Sequence, residues 1–242
     1  MVQAALEPVS RQSLSESVYL QLQDKIVRGE LAPDSALPSE RALSEALAVN
    51  RGAVREAIKR LQQAGLVAVR HGGNHTIRNY EDEAGLELLP SLLVDGRGRL
   101  DIEVLRSIMA MRSALAPEIA AAAAEKADPA LAKKLETLLE KMRRSERDLA
   151  QLQSLVFDFW KTLVAGSGNI AFRLAFNSMT KTYVQAWDAI RATLEPELRD
   201  IRNLRAIAAA VRARDAQAAR TTARRHIEIG RAAMDKVLGE RK

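Results

Sequence analysis

The chain has 242 residues, of which 47% are hydrophobic and 4% aromatic, and it contains no cysteine. Its length allows two domains with packed cores, while the lack of cysteine excludes a disulfide framework, a thiolate zinc site and a cysteine nucleophile. The net charge of +6 is compatible with a polyanionic partner, and with no run of about eighteen apolar residues we expect a cytoplasmic protein without membrane attachment.

Three short amphipathic segments follow a flexible arm that we expect over residues 1–12. Apolar residues recur at helical spacing in each segment, and glycines end the first and the third. The stripe residues are Val18, Tyr19, Leu22 and Ile26, then Leu43, Ala46 and Leu47, and then Val54, Ala57, Ile58 and Leu61. Ser39 and Asn50 stand where helix N-caps belong. The pattern predicts three helices, of which the last two form a helix-turn-helix.

Two β-branched runs come directly after the third predicted helix. The runs LVAVR and HTIRNY are separated by HGGN, whose glycines favour a tight turn. This arrangement predicts a small β-hairpin that forms a wing beside the helix-turn-helix. We therefore assign residues 13–79 to a winged helix-turn-helix domain.

Helical patterns continue to the end of the chain, and no convincing strand interrupts them. We expect a linker and connecting helix over residues 80–100, and an all-α antiparallel bundle over residues 101–242. The predicted helices span roughly 84–94, 101–127, 129–149, 151–165, 169–190, 197–213 and 216–238. Cap residues and prolines support these boundaries, notably Asp101, Asp128 with Pro129, Pro196 and Asp215.

Positive charge is concentrated around the third predicted helix, and residues 51–78 carry a net charge of +5. Arg51, Arg55 and Lys59 are spaced four residues apart, so they share the helix face opposite the apolar stripe. Such a face suits the DNA major groove, where an arginine donates two hydrogen bonds to guanine. Arg51 at the helix entrance is the predicted base reader. A solvated helix face is the alternative, which the neighbouring basic hairpin disfavours.

The segment LPSERALSEALAVNRGAVREAIKRLQQAGLVAVRHGG resembles the GntR family of bacterial transcriptional regulators, in order and without gaps. The helices behind it resemble the FCD-type sensor domain, and the HGG wing and SGN segment resemble the FadR branch. The resemblance implies a mainly α fold, with a winged helix-turn-helix followed by an all-α bundle for effector binding and dimerisation. It also implies a homodimer that binds a palindromic double-stranded DNA operator with GT and AC half-sites.

The same resemblance assigns roles to DNA-binding residues. Arg41 and Arg55 would contact phosphates, Arg51 would read a base, and His71 with Gly72 would enter the minor groove. The full predicted set is Arg41, Asn50, Arg51, Gly52, Arg55, Lys59, His71 and Gly72. The residues that replace hydroxyl residues frequent in the family are Asn50, Gly52 and Ala53. These departures leave some phosphate contacts and the operator preference open.

FCD-type domains commonly hold a metal through an aspartate and three histidines, ligands that suit transition metals. The matching positions here are Val156, Trp160 and Leu204, and only His226 remains. Because one histidine cannot hold such a metal, the sequence predicts a sensor without a metal or other cofactor.

The interior of the sensor domain is predicted to be apolar and aromatic. The clustered aromatic residues are Phe157, Phe159, Phe172, Phe176 and Tyr183. They favour a lipid-like effector, although ordinary core packing is the alternative for any one of them. Arg112 lies in an apolar stretch and needs an anionic partner, which could be an effector carboxylate, a CoA group or an internal acid such as Glu118. The predicted effector-binding residues are Arg112, Trp160, Tyr183 and His226.

The leading hypothesis is a DNA-binding regulator whose operator affinity responds to a fatty acyl-CoA or another carboxylate. Departures from the FadR effector site in the last helix, at Ile227, Gly230 and Met234, leave the ligand open. A GntR-type regulator of sugar-acid or organic-acid metabolism is one alternative, and a winged helix used for protein contacts is another. We expect no enzymatic activity, because the sequence shows no nucleophile–base pair, phosphate-binding loop or carboxylate–histidine cluster.

Overall fold

Short helices with a two-stranded sheet make up one part of the chain, and longer helices make up the other. The structure is a computed structural model that describes residues 14–69, 75–95 and 98–239. They divide into two compact units, within Met1–Arg99 and Leu100–Lys242. The first contains α1 (Leu14–Val27), α2 (Glu40–Ala46), α3 (Arg51–Gln63), β1 (Val67–Val69), β2 (His75–Ile77), α4 (Tyr80–Glu83) and α5 (Leu89–Leu93). The second contains α6 (Ile102–Glu125), α7 (Pro129–Arg144), α8 (Leu149–Gly166), α9 (Ile170–Arg191), α10 (Glu195–Leu198), α11 (Ile201–Arg212) and α12 (Ala216–Gly239).

The helix-turn-helix is held by two capping side chains and one apolar face. The Ser39 hydroxyl accepts a hydrogen bond from the Ala42 backbone N–H at 3.2 Å, and Asn50 Oδ1 accepts one from Ala53 at 2.9 Å. Both bonds satisfy donors that the first turn of a helix leaves unpaired. The predicted stripe of α3 is buried, and it packs with α1 and the two strands in one core. The predicted caps and helices are confirmed.

The predicted wing is an antiparallel pair of strands that follows α3 after a tight turn. Gly65 ends α3 with a φ of 71°, and a Cβ at this position would lie 2.9 Å from the Glu83 carbonyl oxygen, so glycine suits it on both counts. The register pairs Val67 with Ile77 and Val69 with His75. The winged helix-turn-helix predicted from the sequence is therefore confirmed, although the turn residues 70–74 lie outside the described residues.

The segment after the wing folds onto the first unit. Leu88, in a short 3₁₀ turn before α5, is 2% exposed and belongs to the same core as α1. The Ser91 hydroxyl donates a hydrogen bond to Gln23 Oε1 of α1 at 2.8 Å. The helix predicted over residues 84–94 is shorter and begins as a 3₁₀ turn at Leu86–Leu88 that leads directly into α5, because Ala84 and Gly85 have extended backbone.

The second unit is an all-helical bundle in which α6 packs against α8, α11 and α12. Asp101, Asp128 and Asp215 cap α6, α7 and α12 as predicted. Two boundaries differ from the prediction, because unrecognised aspartates cap the following helices. Asp148 starts α8 after a turn at residues 145–148, and Asp200 starts α11, which divides the helix predicted over 197–213 into α10 and α11.

The core of the bundle is built from large apolar side chains on most of its helices. Those that are fully buried include Leu135, Met142, Leu152, Phe159, Leu163 and Leu204. Burying each contributes about 1.5–3 kcal/mol relative to an exposed side chain. Phe159, which the sequence placed among the aromatic effector candidates, therefore packs in the core. No helix in the described ranges has the length and apolar character needed to cross a membrane.

Candidate DNA interface and effector cavity

The entrance of α3 presents cations to solvent while the helix buries its other face. Arg51, Gly52, Arg55 and Lys59 are all exposed, whereas Val54, Ala57, Ile58 and Leu61 are buried. Asn50 Oδ1 is engaged by the helix N-terminus, which leaves the amide nitrogen of that side chain as a donor. The structure thus brings most of the predicted DNA-binding residues onto one surface of α3.

Acidic residues partly neutralise this surface. Arg55 on α3 pairs with Glu40 on α2 through its Nε and Nη2 atoms, with distances of 3.2 and 2.9 Å. Arg41 pairs with Glu45 at 2.9 Å and Lys59 with Glu56 at 2.7 Å. The hydrogen bond from Arg55 lowers the pKa of Glu40, so this carboxylate stays charged. Phosphates would have to compete with these carboxylates for all three cations.

Arg51 differs from its neighbours on the surface. It forms no ion pair within residues 14–69, 75–95 and 98–239, so its guanidinium needs no rearrangement before it meets a new acceptor. Its place at the first position of α3 sets it beside backbone N–H groups that favour an anion. This arrangement can present a bidentate donor to a base edge.

The remaining DNA-binding candidates lie in the wing. His71 and Gly72 fall outside the described residues. His75, which the sequence analysis left without a role, lies in β2, and its Nδ1 atom is 3.3 Å from the Gln62 side-chain nitrogen on α3. The sequence could not show this contact, because it joins helix α3 to strand β2, and the two residues are 13 positions apart.

The second unit contains an apolar cavity of about 100 Å³. Nine residues of the chain are aromatic, and six of them line this one cavity. The aromatic lining residues are Phe157, Trp160, Phe172, Phe176, Tyr183 and Trp187. Phe157 stacks on Phe176 with ring centroids 5.2 Å apart and lies 5.5 Å from Trp187. An aromatic wall of this kind can hold an apolar ligand.

Arg112 meets its anionic partner at the cavity wall, and that partner is Glu197. Arg112 donates two hydrogen bonds to the Glu197 carboxylate, one of them at 2.8 Å and the other between Nη2 and Oε1. The Glu197 side chain is 1% exposed. The suggestion of Glu118 as partner is wrong, because Glu118 pairs on the surface with Arg220. No sequence signal identified Glu197, which lies 85 residues from Arg112.

The pKa shifts of the cavity groups follow from this pairing. Burial acts to lower the pKa of Arg112, but the nearby Glu197 and Tyr183 outweigh it and raise that pKa. Burial also raises the pKa of the Tyr183 hydroxyl, against the opposing charge of Arg112. Arg112 and Tyr183 therefore stay protonated at neutral pH.

His226 lies behind the cavity wall. Its ring is fully buried, stacks on Trp160 with centroids 6.1 Å apart, and donates a hydrogen bond from Nδ1 to Asp200 Oδ2 at 2.9 Å. Nε2 is 3.6 Å from Glu197 Oε1. The structure thus places Arg112, Trp160 and Tyr183 at the cavity, but His226 does not line it.

The positions that match the metal ligands of FCD domains are occupied by apolar side chains. Val156 and Trp160 line the cavity, and Leu204 is fully buried. In the described part of the chain no three histidine, aspartate or glutamate side chains lie together in a way that could hold a metal ion. The apolar side chains at these positions cannot act as ligands of a transition metal. The absence of a cofactor stays a prediction.

Comparison with known sequences places this geometry in a family. The family described as "Bacterial regulatory proteins, gntR family" matches residues 14–77, and the FCD domain family matches residues 107–229. The chain belongs to the GntR family, with an FCD domain. The resemblance stated from the sequence is therefore confirmed.

Individual relatives support this assignment. The chain is 39% identical over 234 residues to the HTH-type transcriptional regulator Mce2R of Mycobacterium tuberculosis, covering 97% of each chain. It is 28% identical over 167 residues to the fatty acid metabolism regulator protein of Klebsiella pneumoniae, covering 67% of this chain and 66% of that protein. The solved structure of Lar from Listeria monocytogenes has a TM-score of 0.59 at 18% identity, covering 95% of this chain and all of that one, and it shows a shared fold.

Proposed function

We propose that two copies of this GntR-family regulator bind a short palindromic DNA operator, each through the exposed entrance of α3. Arg51 carries the proposal, because it is exposed at the N-terminal end of α3 and has no ion-pair partner in the described residues. Arg51 reads a guanine in each half-site, while Arg41, Arg55 and Lys59 contact phosphates. The match to the gntR family over residues 14–77 supports this function.

A small molecule in the cavity of the FCD domain changes operator affinity in this proposal. A ligand that binds one arrangement of the protein more tightly than another shifts the equilibrium between them, and operator binding shifts with it. The aromatic lining favours an apolar ligand over the polyhydroxylated ligand of a sugar-acid regulator. The relative from Klebsiella is described as a fatty acid metabolism regulator. A long acyl-CoA would need a larger cavity, since drug-sized ligands occupy about 300–1,000 Å³.

The role proposed here is regulatory and not enzymatic, and we place the protein in the cytoplasm with DNA. Two relatives that match over 97% of this chain are described as HTH-type transcriptional regulators. The cavity groups fit this role, because Arg112 and Glu197 are paired with each other instead of being positioned beside a nucleophile.

DNA-binding selection from a random duplex library tests the proposal. The purified full-length chain should enrich a short palindrome with a guanine at one position of each half-site. Arg51→Ala should lose the preference at that position, at a cost of about 1–3 kcal/mol. Arg143→Ala is the matched control, because Arg143 is an exposed, ion-paired arginine on α7 of the FCD domain. Failure to enrich any sequence at low salt would overturn the proposal and favour a protein-contact role for the winged helix.

A further inference from the structure

The charge of the effector cavity is balanced before any ligand enters. Among the described lining residues only Arg112 and Glu197 are charged, and they are joined by two hydrogen bonds. The guanidinium that would attract a carboxylate ligand therefore already has one. An entering anion would either displace Glu197, which leaves that carboxylate buried without its partner, or add a second negative charge beside it, and both outcomes are unfavourable.

The packing around Glu197 keeps this carboxylate in place. A Cβ at position 230 would lie 1.7 Å from Glu197 Oε2, so the glycine of α12 leaves the space that the carboxylate fills. His226 approaches from the same side, with Nε2 at 3.6 Å from Oε1. Gly230 is also one of the positions where the sequence departs from the FadR effector site. The position where the sequence departs from the FadR effector site is therefore in direct contact with Glu197 at the cavity wall.

The uncharged polar groups of the lining are mostly engaged within the protein. Gln153 donates to the Trp187 carbonyl at 3.2 Å and accepts from Arg191 at 2.6 Å, and the Thr180 hydroxyl donates to the Phe176 carbonyl at 2.8 Å. The Trp160 indole N–H has no acceptor among the described residues. This nitrogen atom is itself buried from solvent, so few polar groups of the lining are free to pair with a ligand.

We propose that the effector of this regulator is a small, uncharged and mostly apolar molecule, and not a carboxylate or a CoA thioester. The proposal rests on the proposed function, in which this cavity is the effector site. A cavity of this volume holds on the order of ten non-hydrogen atoms, since one water-sized sphere takes about 10–15 Å³. The ligand lies among the six aromatic side chains and leaves the pairing of Arg112 with Glu197 intact.

A pair of isosteric probes tests this directly, because both tryptophans of the chain line the cavity. The full-length protein is titrated with octanamide and, separately, with octanoate at pH 7, where the acid is ionised. Octanamide should change the tryptophan fluorescence saturably, and octanoate should bind at least about tenfold more weakly, because it brings a charge that has no free partner. Equal or tighter binding of octanoate would overturn the proposal.

Variants that change the charge of Arg112 or Glu197 provide a second test. Glu197→Gln leaves Arg112 without a counter-charge, so octanoate should gain at least about tenfold in affinity. The double variant Arg112→Gln with Glu197→Gln is neutral again and should return the preference to octanamide, which keeps the test valid if the single variant folds poorly. Glu118→Gln, whose partner Arg220 is outside the cavity, should leave both affinities unchanged.

Binding of neither probe would overturn the effector proposal but not the DNA-binding function. The effector proposal and the DNA-binding function are tested separately, because operator binding by the same preparation is measured without any ligand. Loss of operator binding together with normal octanamide binding would instead overturn the proposed function and leave the cavity assignment standing.

Discussion

Glu40 is already paired with Arg55, one of the residues proposed to contact DNA phosphates. The pair is bidentate and links α2 to α3, yet it is exposed, so it contributes little to stability. A phosphate offers Arg55 the same bidentate geometry with a stronger field. If Arg55 contacts a phosphate as proposed, Glu40 would oppose that contact, through competition for Arg55 and through its own negative charge.

Replacing Glu40 with Gln should consequently tighten binding to operator and random DNA alike, by roughly two- to tenfold at low salt. Fluorescence anisotropy with a labelled duplex measures both affinities. Glu140→Gln on α7 removes the same charge from an exposed pair in the FCD domain and should have little effect. A loss of operator binding in Glu40→Gln would mean that Glu40 orients Arg55 for its phosphate.

A second prediction for a single residue concerns the space that Gly230 leaves for the Glu197 carboxylate. Adding a methyl group here places a Cβ in the volume of the Glu197 carboxylate, with a separation of 1.7 Å. Gly230→Ala should destabilise the folded protein by about 1–3 kcal/mol, because overpacked buried sites shift side chains and backbone. Urea unfolding checks this value, and Gly239→Ala serves as control, since a Cβ there has no neighbour within 4 Å. Unchanged stability in Gly230→Ala would show that Glu197 is not confined.

At the scale of elements, Asp200 joins two roles. Its carboxylate caps α11 by accepting from the Asn203 backbone N–H at 3.3 Å, and it accepts from His226 of α12 at 2.9 Å. Burial acts to raise the pKa of Asp200, but the hydrogen bonds from His226 and Asn203 outweigh burial and lower it below its ordinary value of 3.8. The ionised carboxylate therefore stabilises the folded state.

The resulting pH dependence has a definite sign. A group whose pKa is lower in the folded state contributes stability above its unfolded pKa and loses it as pH falls through the folded value. Asp200→Ala should cost about 1–3 kcal/mol at pH 7, because it removes a cap and a partner of a buried histidine. Asp200→Asn keeps the cap, and its smaller deficit should shrink below a pH of about 4. Urea unfolding at pH 7 and pH 3.5 measures both, and a deficit of Asp200→Asn that does not depend on pH would contradict the role of its charge.

Much of the element pattern could be predicted because its causes are local. Ser39, Asn50, Asp101 and Asp128 cap helices within three residues of themselves, so sequence spacing identifies them. Asp200 was missed because Pro196, four residues earlier, gave a plausible helix start of its own.

The effector cavity was less predictable, because its causes are distant in sequence. The need of Arg112 for an anion followed from its apolar neighbours, but nothing local distinguishes Glu197 from the nearby Glu195, which pairs with Arg199 on the surface. Similarly, His226 is among the predicted effector-binding residues, whereas packing places it behind Trp160.

For the whole molecule, the net charge of +6 does not show which cations are paired with acidic side chains and which are free to bind a new anion. Most exposed cations of the winged helix have acidic partners within the described residues, as Arg41, Arg55 and Lys59 do. In the proposed function, binding DNA would exchange these ion pairs for phosphate contacts, which would keep nonspecific affinity moderate. Arg51, which has no such partner in the described residues, is the proposed base-reading group.

Salt dependence measures this exchange for the assembled complex. If two copies each place Arg41, Arg55 and Lys59 on phosphates, about six contacts form, and the logarithm of operator affinity should fall with the logarithm of salt concentration with a slope of about −5.

Lys59→Ala should reduce the steepness of this slope by about 2, because one contact is lost in each copy, on operator and random DNA alike. Arg51→Ala should leave the slope nearly unchanged on operator DNA while reducing the difference between operator and random sequences, since its contact is to a base. Anisotropy titrations over a range of potassium chloride concentrations distinguish these outcomes. A slope for Lys59→Ala equal to that of the unmodified protein would show that Lys59 stays paired with Glu56 in the complex, and a slope near zero for the unmodified protein would contradict phosphate binding by this surface altogether.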